Sequence, residues 1–114
     1  MLPKINRLKK RKDFEEVFRK GKSYKEQVVY IKVVSNKLRT SRFGFIVSKK
    51  ISKKAVVRNK IKRRLRELVR INLKRIKSGI DGVLVALPGI EKKEFYELEE
   101  IIERLFKKAG IFQG

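Results

Sequence analysis

The sequence predicts an α+β fold, a two-layer α/β sandwich in which one mixed sheet carries packed helices in the order α-β-β-α-β-α. Three observations carry this expectation. β-branched and aromatic residues fill Gln27–Ser35, an unbroken apolar run fills Val83–Leu87, and between them Val57, Ile61, Leu65, Leu68 and Ile76 recur at mostly four-residue spacing. With 114 residues, 41% of them hydrophobic, residues 1–114 suffice for one domain with a single core and not for two.

The elements follow in order. Asp13-Phe14-Glu15-Glu16 reads as an N-cap with an acid three residues on, and Gly21 suits the position after a helix end, so a short helix is expected over 14–20. Residues 27–35 form the first strand, with Val29, Ile31 and Val33 on one face and Val28, Tyr30, Lys32 and Val34 on the other. The polar turn Asn36–Ser41 leads to a second strand, Arg42–Ser48, expected to pair with the first as an antiparallel hairpin. After the basic connector Lys49–Lys54 comes the long helix, which Ser78-Gly79 should end. The apolar run, closed by Pro88-Gly89, is a buried strand. A last amphipathic helix over 91–109 carries Phe95, Leu98, Ile102, Leu105 and Ala109 on one stripe and six glutamates elsewhere. Met1–Arg11 is a candidate basic tail that orders only on binding.

Charge is the dominant functional signal. Lys and Arg number 33 against 12 Asp and Glu, a formal +21. Residues 1–80 hold 28 basic and 5 acidic residues, whereas 81–114 hold 5 and 7, so the positive field belongs to one part of the chain. Enrichment in surface ion pairs raises both signs together and does not produce this asymmetry. The pattern predicts a polyanionic partner, bound through counterion release from phosphates.

Two segments concentrate the charge. Arg58, Lys62, Arg66, Arg70 and Lys74 follow one another at four-residue steps, with Asn59 and Arg63 beside them and Glu67 the sole acid nearby. Like charges at this spacing cost a helix roughly 0.2–0.5 kcal/mol per step, which a phosphate partner would offset. Immediately before them, Lys49, Lys50, Lys53 and Lys54 crowd the helix N-terminus, itself favourable to anions. Against this stands the ordinary reading of charge runs as solvated surface, which the shortage of acids weakens. Phe43-Gly44-Phe45-Ile46 partly echoes the base-stacking strand of RNA-recognition domains, but the order of elements differs and both rings are read as core.

Several chemistries are excluded. The chain has no cysteine and no histidine, so disulfides, thiolate metal sites, Cys nucleophiles and imidazole bases are absent. No acid lies between Glu26 and Glu67, which argues against the clustered carboxylates of a two-metal nuclease and predicts neither catalytic nor metal-ligating residues. No apolar run approaches the ~20 residues of a membrane span, and no signal-peptide run opens the chain, so a soluble cytoplasmic protein is expected.

Arg58-Asn59-Lys60-Ile61-Lys62-Arg63-Arg64-Leu65-Arg66-Glu67, preceded by Val47-Ser48-Lys49-Lys50, resembles the Arg-Asn-Arg signature helix of the bacterial ribonuclease P protein. Asp13-Phe14-x-x-Val17-Phe18-x-x-Gly21 is similar to that family's first helix, and the resemblance covers about residues 7–108. It implies a ribosomal-protein-S5-like sandwich with a left-handed β-α-β crossover, against the usual hand. It further implies an endoribonuclease holoenzyme, a ribonucleoprotein that removes the 5′ leader of precursor tRNA. The catalytic RNA performs the phosphodiester hydrolysis with its own Mg2+, and the protein holds no cofactor tightly.

On this resemblance Arg58, Asn59, Lys60, Lys62, Arg63, Arg66 and Arg70 would bind the catalytic RNA. Phe14, Phe18, Tyr30, Lys32, Lys49, Lys50, Lys53 and Lys54 would bind the single-stranded leader in a cleft between the first helix and the sheet. For Phe14 and Phe18, plain core packing is the competing expectation. A monomer in a 1:1 complex with the RNA is expected, away from membranes. Two departures stand out: Lys60 replaces the second arginine of the signature, keeping charge but losing the planar fork, and Leu87-Pro88-Gly89-Ile90 lacks a basic residue often found after the third strand. The alternative from another class is a structural ribosomal-type RNA-binding protein; a DNA-packaging protein and an autonomous nuclease rank below it.

Overall fold

The computed structural model describes residues 2–113. Its α-helices are α1 (Arg11–Lys20), α2 (Ala55–Asn72) and α3 (Phe95–Lys108), and its strands are β1 (Lys22–Glu26), β2 (Val29–Ser35), β3 (Arg42–Ile46) and β4 (Ile80–Ala86). The strands form one mixed sheet in the order β1-β2-β4-β3. The expected sequence of helices and strands is therefore present, with β1 added at one edge.

β4 explains the sheet order. Its continuous apolar run is covered on both faces, so it takes a central place: Ile31↔Leu84 pairs it antiparallel to β2, and Phe45↔Leu84 pairs it parallel to β3. The expected β2–β3 hairpin is thereby corrected, because β4 lies between these strands. The 36–41 link has only to cross two strand spacings, about 10 Å, well within the reach of six residues at about 3.3 Å each. Parallel pairing of β3 and β4 makes α2 the crossover.

Most of the core lies between the sheet and α2 and α3. Val29, Ile31, Phe43, Leu84 and Ala86 from the strands meet Ile61, Leu65, Leu68 and Val69 of α2 and Leu98, Ile101, Ile102, Leu105 and Phe106 of α3. The Phe43 and Phe106 rings stack at 6.4 Å, and Phe112 closes edge-on against Phe106 at 5.7 Å. On the opposite face α1 covers only part of the sheet, where Val17 packs with Leu8 and Val83. α3 begins with a reciprocal capping box between Glu94 and Glu97, two residues after a short 3-10 turn over Ile90–Lys92.

Several boundaries differ from the sequence reading. α1 starts earlier, at Arg11, which leaves Asp13 inside its first turn, and Gly21 ends it in an extended conformation (φ −75°, ψ 153°). α2 stops at Asn72, whose side-chain N–H donates to the Leu68 carbonyl at 2.8 Å. Leu73–Arg75 then form a 3-10 turn, and Ile76 bridges to Phe112. Residues 2–11 are seated on the domain: Leu2 is buried, Leu8 N–H donates to the Phe43 carbonyl at 2.9 Å, and the Asn6 amide donates to the Ser41 carbonyl at 2.8 Å. Met1 lies outside the described residues.

Candidate nucleic-acid interface

α2 presents its apolar stripe to the core and its basic side to solvent, but its cations are not equivalent. Asn59, Lys60 and Arg63 are exposed. Arg58 is half-buried, and its Nη1 donates to the carbonyls of Ser52 and Lys53, each at 2.9 Å, so it ties the preceding loop to the helix. Arg64 donates to the Lys93 carbonyl at 3.2 Å, joining α2 to the approach of α3. Lys62 and Arg66 are half-buried, and the Arg66 guanidinium sits 5.9 Å from the centroid of the Phe45 ring.

Arg70 is engaged by Glu67 through two hydrogen bonds of 2.7 and 2.6 Å. That fork holds the Glu67 carboxyl below its ordinary range. The five-cation ladder is accordingly shorter than its spacing suggests, because Arg70 is paired and Lys74 lies beyond the last helical turn.

The lysine-rich loop has a defined shape. Ser48 Oγ accepts from Lys50 N–H, Ser52 Oγ accepts from Lys54 N–H, and Ile51 is buried beneath them. With Ile51 turned inward, Lys49, Lys50, Lys53 and Lys54 are left exposed in front of the α2 N-terminus. Loop and helix thus form one cationic edge.

The second group of residues meets on the face carrying α1. Phe14 lies against Gly44. Lys32 Nζ donates to the Phe18 carbonyl at 3.1 Å and stands 5.9 Å from the Phe18 ring centroid. Register sets Lys25, Tyr30, Val85 and Ile46 side by side across the sheet, one level beyond Ser23, Lys32, Val83 and Gly44. The Tyr30–Val85–Ile46 level is half-buried, next to the strand end from which the chain enters the lysine loop. Phe14 and Phe18 are half-buried and pack against the small cluster on this face, so each ring packs and also keeps part of its surface accessible.

Sequence reasoning missed four residues, in three places. Val85 and Ile46 lie beside Tyr30 on this face, a neighbourhood that only the register of separate strands creates. Arg42 is the second: its Nε and Nη2 bind the buried Asp81 at 2.9 and 2.7 Å, and its Nη1 reaches Asp13 of α1 at 3.4 Å. These contacts raise the Arg42 pKa, Asp81 contributing most, and pin α1 to the sheet. Arg7 is the third, at the free edge of β3, with its Nε on the Leu2 carbonyl at 2.8 Å. Nothing in the local sequence around any of them signals such a role.

Chemically, the arrangement offers phosphate-binding cations and half-buried aromatic rings, with most carboxylates spent on internal ion pairs. Among the described residues no three or more acids gather as a metal site would require, and no helix is long and apolar enough to cross a membrane.

Comparison with known proteins places the chain in a family. Residues 2–110 match the ribonuclease P family model. A ribonuclease P protein component of Clostridium botulinum (strain 657 / Type Ba4) is 41% identical over 110 residues, covering 96% of this chain and 98% of the relative. That of Syntrophomonas wolfei is 43% identical over 112 residues, covering 98% and 93%. Among solved structures, a Staphylococcus aureus RNase P protein mutant with defective mRNA degradation activity superposes with a TM-score of 0.89 at 31% identity, covering 96% of this chain and 92% of that one. The Thermotoga maritima RNase P protein in complex with 1-(4-fluorophenyl)-2-thiourea gives 0.82 at 33% identity, covering 90% and 98%.

Proposed function

The chain belongs to the ribonuclease P protein family, whose bacterial enzyme is an endoribonuclease with an RNA catalyst, and from that premise we propose how its two surfaces divide the work. The exposed side of α2, with Asn59, Lys60 and Arg63 foremost and Lys62 and Arg66 beside them, grips the catalytic RNA. The groove beside α1 receives the single-stranded 5′ leader of precursor tRNA. There Phe14, Phe18 and Tyr30 offer ring faces to bases, and Lys32, Lys49, Lys50, Lys53 and Lys54 meet the phosphates.

Arg58 acts mainly by shaping the loop that carries those lysines, and Arg70 contributes less than Arg63 because Glu67 holds it. Lys60 supplies a point charge in place of the fork of an arginine. No step of the chemistry runs through a protein side chain. Mg2+ is held by the RNA, and the protein raises the local density of positive charge where substrate and catalyst approach. We further propose a cytoplasmic monomer that pairs 1:1 with its RNA.

The observation carrying this reading is the continuous cationic edge from Lys49 to Arg66, in which no carboxylate occurs. Its test is reconstitution with a bacterial ribonuclease P RNA at near-physiological magnesium, comparing wild type with Asn59→Ala/Arg63→Ala. The expected result is leader removal promoted by wild type, strongly weakened in the double variant, and absent with protein alone. RNA binding without any gain in cleavage would overturn the assignment.

A further inference from the structure

The free edge of β3 separates the two surfaces and has the makings of a third site. Arg7 bridges to Phe43, and Leu8 N–H donates to the Phe43 carbonyl, so the N-terminal segment begins to pair along β3 and then departs. Peptide groups of alternate strand residues face the same side. The N–H and C=O of Phe45 therefore face the side Phe43 uses, beyond which, among the described residues, no further strand of the sheet lies.

At that edge a cleft of about 360 Å³ is bordered by Arg7, Lys9, Phe14, Phe45 and Arg66. Arg7 and Arg66 also border an adjoining hollow that contains Arg63. Three kinds of group thus converge: cations for phosphate, the half-buried Phe45 ring for a base face, and an outward peptide unit for a base edge. No carboxylate lines the cleft, and Glu67 of the adjoining hollow is already held by Arg70.

We propose that this cleft is a subsite for one unpaired nucleotide of the catalytic RNA. The base rests against Phe45 and its peptide unit, and the flanking phosphates meet Arg7, Lys9 and Arg66. The source is the catalytic RNA because Arg7 and Arg66 lead directly to Arg63, whereas of the aromatic and lysine residues assigned to the leader only Phe14 borders the cleft, and Phe18, Tyr30 and Lys32 do not. The inference rests on the reading of α2 as the RNA-gripping helix.

The absence of cysteine allows a single thiol to be placed at will. Lys9→Cys carrying a benzophenone photo-crosslinker is assembled with the catalytic RNA and precursor tRNA, beside Glu99→Cys carrying the same label on exposed α3. The expected result is a crosslink from position 9, above the position 99 background, to unpaired nucleotides of the catalytic RNA. In parallel, Phe45→Leu should weaken binding of that RNA roughly tenfold through lost stacking while leaving the salt dependence of binding unchanged. Arg7→Ala should weaken it and flatten the slope of log K against log salt by about 0.7.

A crosslink confined to the leader, or one no stronger than background in a complex that still cleaves, overturns the subsite and leaves the α2 reading intact. Failure of wild type to promote cleavage overturns the α2 reading instead. Should Phe45→Leu fail to fold, the crosslink and the Arg7→Ala salt slope decide the matter.

Discussion

The Phe14 ring lies over Gly44 so closely that no β-carbon fits between them, and this contact lets α1 approach the sheet closely at that point. Gly44→Ala must therefore push Phe14 away from β3 and tilt the wall of the proposed leader groove. The expected cost is about 1–3 kcal/mol in stability, in line with overpacking of a filled site. Leader-dependent affinity should fall as well, measured as the ratio of precursor tRNA binding with a long and a minimal leader, while leaderless tRNA binding is little changed.

Arg42 holds α1 and β4 together through Asp13 and Asp81. Removing its charge leaves Asp81, buried at 6% exposure, without a cationic partner. Arg42→Ala should destabilise the fold by about 3 kcal/mol, read from denaturant unfolding. Arg42→Ala/Asp81→Asn should recover part of that loss, since the orphaned charge is gone.

Glu67 restrains Arg70, so freeing the arginine should strengthen RNA binding. Glu67→Gln is expected to tighten the complex and steepen its salt dependence. Arg63→Ala should do the opposite, flattening the slope of log K against log salt by about 0.7–0.9. Titration of labelled catalytic RNA at several salt concentrations measures both; an unchanged slope for Arg63→Ala would mean that Arg63 meets no phosphate.

Side-chain hydrogen bonds from Lys20, Lys108, Arg70 and Arg75 hold Glu16, Glu26, Glu67 and Glu103, respectively, below the ordinary carboxyl range. Because the folded values are the lower ones, this stabilisation is present above the unfolded glutamate pKa of about 4.3 and is lost as pH falls through the folded values. Protonation also leaves the excess of positive charge less balanced. Thermal unfolding should therefore change little between pH 7 and 5 and weaken below about pH 4. Added salt should soften the decline, since these pairs are solvent-exposed.

Arg58 satisfies two loop carbonyls, so Arg58→Ala should loosen the 48–54 loop. Hydrogen exchange at Lys53 and Lys54 should quicken, and leader affinity should drop more than affinity for the catalytic RNA. Arg58→Lys, lacking the fork, should restore charge without restoring protection.

The sequence by itself determined the elements whose information is local. Four-residue apolar spacing marks α2, the unbroken apolar run marks β4, and the surplus of Lys and Arg before Gly79 marks the strongly basic part of the chain. The family resemblance, too, was legible in contiguous residues, from Val47 to Glu67 and from Asp13 to Gly21.

Tertiary structure alone decided the rest. β1, Lys-Ser-Tyr-Lys-Glu, has no apolar alternation of its own and is a strand because β2 lends it a pairing edge and α3 holds Glu26 through Arg104 and Lys108. The place of β4 between β2 and β3 follows from burying both of its faces, a competition among strands that no single segment reveals. The same holds for the sites. Tyr30, Val85 and Ile46 come side by side by register, and Arg42 finds Asp81 across 39 residues. Composition and periodicity specify which face a residue prefers, while partners distant in sequence are chosen by the joint packing of all the faces at once.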